Sequence, residues 1–459
     1  MNPIPLKIAY IGGGSRAWAR KLMIDLALAP ELTGLVALYD IDLESAQLNE
    51  QLGTWLQTQP GVVSRWRYQV SPTLADALRG ADFVVISIQP GTLQMMADEI
   101  AIAEKYGMFF PVGDTTGAPG LVRGLRAAIV YADFARAIAE HCPRAWVINY
   151  TNPLSICTRM LTRVAPALKV FGCCHEVFAV QEMLATLVEK YVSPGDLPAR
   201  AEIRVNVLGI NHFTMISRAT GRGLDLLALV RRHMAESGVM REYTRAEVEA
   251  FGSWFKSANQ VKFTILQRYG VLGAAGDRHL VEFMPGFIHS PAELFRWGVI
   301  RTPVAGYRFE RWQNAPQETR DLIAGKTPLV LDASGEEGVA QIKALLGLGD
   351  LITNTNVENV GQIANLPLRA VVETNARFSY DAITPLVAGE LPPGLHALTV
   401  QHIANQEMIG QAALTRDRDL AFQAVFNEPT QDLDLNRAWR MFNELLAVSR
   451  EFLPGWKIE

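Results

Sequence analysis

Two short segments of the chain carry side chains that bind transition metals. Residues 174–177 read Cys-His-Glu-Val, and residues 209–212 read Gly-Ile-Asn-His. The thiolate of Cys174 and the imidazole of His212, brought together, form a metal site with open positions for substrate oxygens, because a closed structural site needs four protein ligands. The alternative interpretation is a small buried Cys and a His satisfied within the core.

A second signal lies near the N-terminus, where a glycine-rich loop follows a predicted strand. Gly12, Gly13, Gly14 and Ser15 fit the first part of a G-x-G-x-x-A dinucleotide-binding motif, in which the first glycine permits a tight turn and the next motif glycine lets a pyrophosphate approach. Asp40 ends the second predicted strand and favours NAD over NADP, since a carboxylate there accepts hydrogen bonds from ribose hydroxyls. The alternative is a flexible turn with Asp40 capping a loop.

Composition indicates a globular enzyme. The chain has 459 residues, of which 49% are hydrophobic and 20% charged, and its formal net charge is -4. This balance argues against partners such as nucleic acid or anionic membrane, and no apolar run reaches the length of a membrane span. No secretory or transit signal is visible, and four cysteines are too few for a disulfide scaffold, so we expect a reducing cytoplasm.

The pattern of apolar residues predicts an α/β fold. Residues 1–200 are expected to form a Rossmann-type, doubly wound parallel sheet of the lactate/malate dehydrogenase kind, because short apolar runs alternate with helical patterns. The strands are predicted at 8–11, 35–39, 83–88, 146–149 and 168–171. A helix at 120–141 is expected to turn Arg123 and Arg126 away from its apolar face.

The pattern changes after residue 200, and residues 201–459 are predicted to form an α+β, largely helical second domain. Residues 203–208 alternate like an antiparallel strand. Helices are predicted at 224–237, 244–269, 394–413 and 435–451.

Several linked motifs resemble those of glycoside hydrolase family 4, the NAD- and manganese-dependent glycosidases, over nearly the whole chain. Besides the glycine loop and the two metal motifs, they are Gly-Asp-Thr-Thr-Gly-Ala-Pro-Gly at 113–120, Asn-Tyr-Thr-Asn-Pro at 149–153, and Asn-Leu-Pro at 365–367 before Glu373. Cys-His-Glu-Val resembles the α-galacturonidase group. Phospho-sugar hydrolases of the family instead carry Cys-Asp-Met-Pro or Cys-Asn-Val-Pro, and α-galactosidases carry Cys-His-Ser-Val.

The resemblance implies an elimination mechanism rather than the usual pair of carboxylates, an exception known among glycosidases. NAD would oxidise C3 of the sugar, and manganese held by Cys174 and His212 would stabilise the enediolate formed when a base removes the C2 proton. The aglycone then leaves, water adds, and C3 is reduced again, so no net redox change occurs. The resemblance also implies a homo-oligomer, a homodimer or a homotetramer.

The acid and the base that transfer protons are harder to assign from the sequence. His175 is predicted to be the acid that protonates the leaving group, because it occupies the position where phospho-α-glucosidases place an Asp. The segment that carries the base in those relatives lacks its Tyr here. Asp277 is the candidate base, and His279 and a metal-bound hydroxide are the alternative bases. The alternative interpretation without a catalytic role is that these charged residues belong to a solvated loop.

A uronic acid substrate needs a cation for its carboxylate and polar groups for its hydroxyls. Arg278 is the first candidate for the carboxylate and Arg126 the second. Asn152 and Asp114 are predicted to contact hydroxyls, although a turn and an N-cap are the respective alternatives. Glu176 is expected to orient an Arg or a His.

Other functions fit parts of the sequence. A family 4 α-glucuronidase or α-galactosidase would share the motifs. A plain NAD-dependent 2-hydroxy acid dehydrogenase would release NADH with its product, and a silent NAD-binding sensor would show neither turnover nor metal dependence. The pair Cys174 and His212 argues against the dehydrogenase, and nothing in the sequence requires a sensor.

Overall fold

The computed structural model describes residues 2–458. Strands alternate with helices through the first half of the chain. The strands are β1 Ile4–Ile11, β2 Leu32–Tyr39, β3 Arg65–Val70, β4 Phe83–Ile86, β5 Trp146–Asn149 and β6 Lys169–Gly172. The helices are α1 Trp18–Ala27, α2 Leu43–Leu56, α3 Leu74–Leu78, α4 Leu93–Lys105, α5 Gly117–His141, α6 Leu154–Val164 and α7 Glu176–Tyr191.

Helices predominate in the second half. Its strands are β7 Arg204–Ile210, β8 Phe213–Gly221, β9 Leu224–Asp225, β10 Leu272–Gly273, β11 Leu351–Glu358, β12 Val371–Ser379 and β13 Ala382–Pro385. Its α-helices are α8 Leu226–Glu236, α9 Arg245–Glu249, α10 Gln260–Tyr269, α11 Asp277–Phe283, α12 Pro291–Arg296, α13 Phe309–Ile323, α14 Gly338–Leu345, α15 Pro393–Thr415, α16 Arg418–Phe426 and α17 Leu435–Val448. Short 3-10 turns lie at Arg200–Glu202 and Arg450–Phe452, and a π-helical turn at Val304–Arg308.

The main sheet confirms the predicted fold class. Its strand order is β13-β12-β11-β6-β5-β4-β1-β2-β3, and the six strands of the first half are all parallel. Their order, with β1 between β2 and β4, is that of a Rossmann sheet, which places ligands at the carboxyl ends of its strands. β11, β12 and β13 extend this sheet with antiparallel strands, beginning with the pair Asn356 and Gly172.

Helices cover both faces of the main sheet. One apolar cluster packs α3, α5 and α6 together with the C-terminal helices α15, α16 and α17. The opposite face buries residues of α1, α2 and α14. The second half thus contributes both strands and helices to the first domain, and the division at residue 200 does not separate two independent sheets.

A smaller antiparallel sheet, β10-β8-β7 with β9 paired to β8, lies within the second half of the chain. The predicted strand at 203–208 corresponds to β7. The predicted helix at 244–269 is wrong in its middle, because only α9 and α10 are helical and residues 250–259 connect them. Gly252 has φ +66 and Asn259 has φ +60, which no right-handed helix contains.

The prediction that Arg123 and Arg126 point to the polar side of α5 is also wrong. Their exposed fractions are 4% and 0%. Helix α5 lies between the sheet and α15, α16 and α17, so it has no solvent face along this stretch. Hydrophobic periodicity therefore does not describe it.

Within residues 2–458, no helix combines the length and apolar character needed to cross a bilayer.

Candidate functional site

The glycine loop lines a cavity of about 880 Å³ at the carboxyl ends of β1, β2 and β4. The amides of Gly12 and Gly13 both donate to the carbonyl of Tyr39, which fixes the loop against β2. Gly12 has φ +95, and a Cβ added there would lie 2.1 Å from the carbonyl oxygen of Ser87. Only glycine fits that position, as a tight turn before α1 requires.

The other predicted cofactor residues lie around this loop. Gly12, Gly14, Ser15 and Asp40 line the 880 Å³ cavity. Gly13 instead packs against β2, where a Cβ would approach Leu38 to 2.8 Å. The carboxylate of Asp40 accepts hydrogen bonds from the amides of Gly14 (2.8 Å) and Asp42 (2.9 Å). Asp40 thus stands at the end of β2 beside the cavity, as the sequence predicted.

A second cavity of about 430 Å³ adjoins the first, and we call it the substrate cavity. Asp114, Asn152 and Arg308 line both cavities. Cys174 and His175 also line the substrate cavity, at the end of β6. A group bound at the glycine loop and a molecule in the substrate cavity would therefore be neighbours.

His212 lies in a two-residue turn between β7 and β8, which pair up to Ile210 and Phe213. Its φ is +65, a left-handed conformation that an L-residue rarely adopts and that is often found at functional sites. Glu373 on β12 supports this turn by accepting from Asn211 (3.3 Å) and Thr214 (3.1 Å). The motif Gly-Ile-Asn-His thus directs one imidazole into the cavity.

His212 belongs to a buried cluster that can hold a metal ion. The ligand atoms of Asp114, His212 and His279 all lie within 4.8 Å of one another. The His212 and His279 rings stack with centroids 3.9 Å apart. Burial lowers the pKa of His212 to about 3, and the neighbouring His279 contributes to the same shift. The His212 ring is therefore neutral, as a metal ligand must be.

Thr115 ties two members of the cluster together. Its hydroxyl donates to Asp114 Oδ1 (2.8 Å) and lies 2.8 Å from Nδ1 of His212. Burial works against the charge on Asp114, but His279 and Arg308 together hold the pKa of that carboxyl far below its usual range. Asp114 is therefore an ionised oxygen donor, not an N-cap.

Cys174 lines the same cavity but does not belong to the three-residue cluster within the described chain. Burial raises the pKa of its thiol well above the usual value, and the carboxylates of Glu373 and Glu176 raise it further. A nearby cation would be needed to stabilise the thiolate. The structure thus places Cys174 and His212 in one cavity, as the sequence predicted, and adds Asp114 and His279.

Glu176 begins α7 and binds the segment that carries His279. Its carboxylate accepts from the amide of Gly276 (2.7 Å) and from Arg278 Nη2 (3.1 Å), and Oε1 lies 3.5 Å from His279 Nε2. Burial opposes ionisation, but His279 and Arg278 lower the pKa of Glu176 well below its usual value. Glu176 therefore contacts both an Arg and a His, as its predicted orienting role requires.

His175 and Asn152 are two further predicted site residues that line the substrate cavity. The His175 side chain is 47% exposed, and its Nδ1 lies 3.6 Å from Glu336. Asn152 precedes a cis peptide bond to Pro153, and its carbonyl accepts from Arg123 Nε at 3.3 Å.

Asp277 is placed differently from the expectation. Its carboxylate accepts from the amides of Val261 (3.1 Å) and Lys262 (3.2 Å) and pairs with Lys262 Nζ at 2.9 Å. Among the residues described, the cavity linings include its neighbours Arg278 and His279 but not Asp277. Because these bonds fix the start of α10, the geometry favours a structural role for Asp277 over that of a base.

Arg126 is also committed to the structure. Its guanidinium donates to both carboxylate oxygens of Glu99, to the carbonyl of Pro90 and to Ser449 Oγ. The pair with Glu99 is fully buried. These bonds of Arg126 join α4, α5 and the chain after α17. Because its donors are already used, the structure disfavours Arg126 as the group that binds a substrate carboxylate.

Comparison with known proteins identifies the family. Residues 7–190 match the family 4 glycosyl hydrolases, and residues 207–431 match the family 4 glycosyl hydrolase C-terminal domain. The chain belongs to glycosyl hydrolase family 4. This confirms the resemblance carried by the linked motifs.

Relatives span the whole chain. It is 44% identical over 458 residues to an alpha-galacturonidase of Thermoanaerobacter italicus, with 98% of each chain covered. It is 46% identical over 445 residues to one of Bacillus subtilis, covering 96% of this chain and 97% of that protein. A solved Bacillus subtilis structure, assigned as a glucosidase, has a TM-score of 0.90 at 45% identity and covers 97% of this chain and 100% of its own.

A more distant solved member shares the fold. The 6-phospho-alpha-glucosidase from gut microorganisms, solved with NAD and Mn²⁺, has a TM-score of 0.80 at 19% identity, with 99% of this chain and 100% of its own covered.

The residues of this chain fit both groups bound by that family member. The loop at Gly12 provides the close backbone approach that a pyrophosphate needs. The cluster supplies imidazole and carboxylate donors from three separate segments of the chain. Carboxylate and imidazole suit Mn²⁺ better than a thiolate does, which favours Asp114 as a ligand beside Cys174.

Among the arginines that sequence reasoning did not assign to this site, Arg123 and Arg308 have buried donors without a hydrogen-bond partner in the described chain. Arg123 has an Nη1 that is buried without a partner among residues 2–458, and it was assigned to a polar face. Arg308 lies in the π-helical turn, for which no periodic signal exists. Its only sequence signal is a positive charge between two aromatic residues, Tyr307 and Phe309.

Proposed function

We propose that this protein is an α-galacturonidase that cleaves α-linked D-galacturonides with NAD and a divalent metal, manganese or a similar ion. The charge of the substrate cavity is the observation that carries the proposal. Its lining includes four arginines and only two carboxylates, Asp114 and Glu176. An anionic sugar fits this lining better than a neutral one. The full-length relatives named alpha-galacturonidase support the same substrate.

When bound, NAD supplies a reversible hydride acceptor for C3, and the metal ion supplies a Lewis acid for the sugar oxygens at C2 and C3. We infer that Cys174, His212 and Asp114 hold the metal. Gly12, Gly14, Ser15 and Asp40 hold the cofactor, and Gly13 supports their loop. Asn152 binds a sugar hydroxyl.

We propose His279 in place of Asp277 as the base for the C2 proton. Glu176 faces Nε2 of this ring, and Nδ1 has no hydrogen-bond partner within residues 2–458. A carboxylate that holds one ring nitrogen leaves the lone pair of the other available, the arrangement by which general bases are oriented. His175, which lines the cavity and reaches solvent, protonates the glycosidic oxygen.

The cell compartment follows from the proposal. A thiol ligand such as Cys174 requires a reducing compartment, so we place the enzyme in the cytoplasm. The homodimer or homotetramer implied by the family stays a prediction.

The direct test is release of galacturonic acid from an α-linked galacturonic acid dimer under reducing conditions, with NAD and Mn²⁺ supplied and then each omitted. We expect turnover that needs both and leaves no lasting NADH absorbance. Accumulation of NADH in proportion to product would indicate a dehydrogenase and contradict the proposal. Matched glucuronide and neutral α-galactoside substrates serve as comparisons, and faster cleavage of either would replace the substrate assignment within the family.

A further inference from the structure

The arginines of the substrate cavity differ in how far their charges are already used. The lining contains Arg16, Arg278, Arg308 and Arg311. A group that recognises a substrate carboxylate needs free N–H donors on one edge of the guanidinium and a position inside the cavity. Existing hydrogen bonds therefore distinguish the four.

Arg16 and Arg278 have partners of their own. Arg16 donates to the carbonyl of Trp312 and its guanidinium carbon stands 3.9 Å from the centre of that ring. Arg278 donates to Glu176 (3.1 Å) and to Thr302 (3.2 Å), and its guanidinium stacks on Phe255. The charge of Arg278 is thus neutralised locally by Glu176, and the N–H groups of its guanidinium donate to other protein groups.

Arg311 lies at the rim. Its side chain is exposed, and it donates to the hydroxyl of Tyr307 at 3.0 Å. A carboxylate bound there would stay solvated, and exposed ion pairs contribute little.

Arg308 has unused donors inside the site. Its Nε is buried, and no hydrogen-bond partner for it exists among residues 2–458. A buried unpaired donor costs free energy, which a ligand acceptor recovers on binding. Its Nη2 lies 3.9 Å from Asp114 Oδ2, beside the metal cluster, and the residue lines both cavities.

The backbone around Arg308 is also unusual. Arg308 ends the π-helical turn Val304–Arg308, and its amide donates to the carbonyl of Pro303, five residues earlier. Such turns are rare in proteins and frequent at functional sites, since they reorient one side chain relative to a regular helix. Here the turn directly precedes α13, which lies over the cavities through Trp312.

We propose that Arg308 binds the carboxylate of the uronic acid that is cleaved, through Nε and an Nη on the same edge, and so determines the preference for galacturonides over neutral galactosides. This inference rests on the proposed function. It assigns the specificity to a residue other than Arg278 and Arg126, the two that the sequence favoured.

The test compares three variants, R308Q, R308K and R278Q, with R320Q as a matched control, since Arg320 lies on α13 and pairs with Glu44 at the surface. Calorimetry measures binding of free galacturonate and of galactose to protein loaded with NAD and Mn²⁺. Kinetics with an α-galacturonide and a neutral α-galactoside measure kcat and KM. Mn²⁺ affinity, read by the EPR signal of free ion, and the circular dichroism spectrum report on the integrity of the site.

We expect R308Q to weaken galacturonate binding about 10- to 100-fold, the range for hydrogen bonds to a charged group, and to change galactose binding less than threefold. KM for the galacturonide should rise more than kcat falls. R308K should restore part of the loss because it keeps the charge without the fork. R320Q should match the wild type, and Mn²⁺ affinity should change less than threefold in R308Q.

The inference alone would be overturned by an R308Q enzyme that keeps the wild-type preference, or by a preference lost in R278Q and kept in R308Q. Equal losses for both sugars would also overturn it, because they would indicate general damage to the site. If R308Q does not fold, the same comparisons with R308K decide. A wild-type protein that does not distinguish galacturonate from galactose would contradict the proposed function itself.

Discussion

The cofactor loop and the metal cluster lie side by side, but they are built in different ways. The loop at Gly12 is one continuous segment held by backbone hydrogen bonds, from Gly12 and Gly13 to Tyr39 and from Ser87 to Ile11. The cluster of Asp114, His212 and His279 comes from three distant segments. The contrast shows that backbone geometry encodes the glycine loop locally, whereas long-range side-chain contacts assemble the proposed metal cluster.

Three buried carboxylates support the cluster from behind. Glu282 accepts from the amides of Val112 (2.6 Å) and Gly113 (2.9 Å), directly before Asp114. Glu428 accepts from Thr116 and Gly117 at the start of α5, and Glu373 holds the turn of His212. Substitutions in the two regions should therefore have different effects on NAD affinity, on kcat and on the pH dependence of stability.

The largest effect is expected at His279. H279Q should lower kcat about 100- to 10,000-fold, the range for loss of a general base, while NAD affinity measured by calorimetry changes little. D277N changes a residue two positions earlier in the chain. It should instead destabilise the fold by about 3 kcal/mol, because it leaves Lys262 buried without its charged partner. Thermal unfolding and single-turnover kinetics on the folded protein measure both.

His396 on α15 provides the control, since it lies outside both cavity linings of the described chain, and H396Q should behave as wild type. A D277N protein that is folded and stable but inactive would reverse the assignment of the base.

A smaller effect, confined to the other region, is expected at Gly12. G12A should weaken NAD binding about 10- to 100-fold or more, since its Cβ would meet Ser87 at 2.1 Å and its φ of +95 costs about 1–3 kcal/mol for an L-residue. Mn²⁺ affinity should stay within a few fold of the wild type. G80A is the matched control, because Gly80 also has a positive φ, of +71, but nothing lies within 4 Å of its added Cβ.

G80A should cost stability alone. If G12A bound NAD normally, the loop would not be the cofactor site.

The sequence predicted the region that is continuous in the chain. Features that depend on a local pattern were predicted correctly in position. They are the glycine loop, Asp40, most strands of the parallel sheet and the family motifs. β3 was not predicted, although Trp66 and Tyr68 alternate with exposed residues, because its edge position keeps half of the strand polar.

Side-chain partners were the part that sequence could not supply. Asp277 and His279 are two residues apart, and only the fold shows that the first turns toward Lys262 and the second toward Glu176. Arg126 and Arg308 likewise differ by their partners rather than by their type. Patterns along one chain do not contain such long-range pairings.

The smallest effect on activity is expected from Glu282, which links the stability of the cluster to pH. Burial raises the pKa of this carboxyl from 4.5 to about 8, against the opposing hydrogen bonds from Val112 and Gly113. Between these two pH values the folded chain binds one more proton than the unfolded chain at this residue. Stability from Glu282 is therefore present at low pH and falls as pH rises, by at most about 1.4 kcal/mol per pH unit.

E282Q keeps an oxygen that accepts from both amides and cannot ionise. Its melting temperature relative to the wild type should therefore rise between about pH 5 and about pH 8 and level off above that. E310Q, which changes an exposed carboxyl on α13, should show no such trend. A constant difference between E282Q and the wild type would mean that Glu282 is ionised throughout this range, and that the loop before Asp114 is held by a buried charge instead of a neutral carboxyl group.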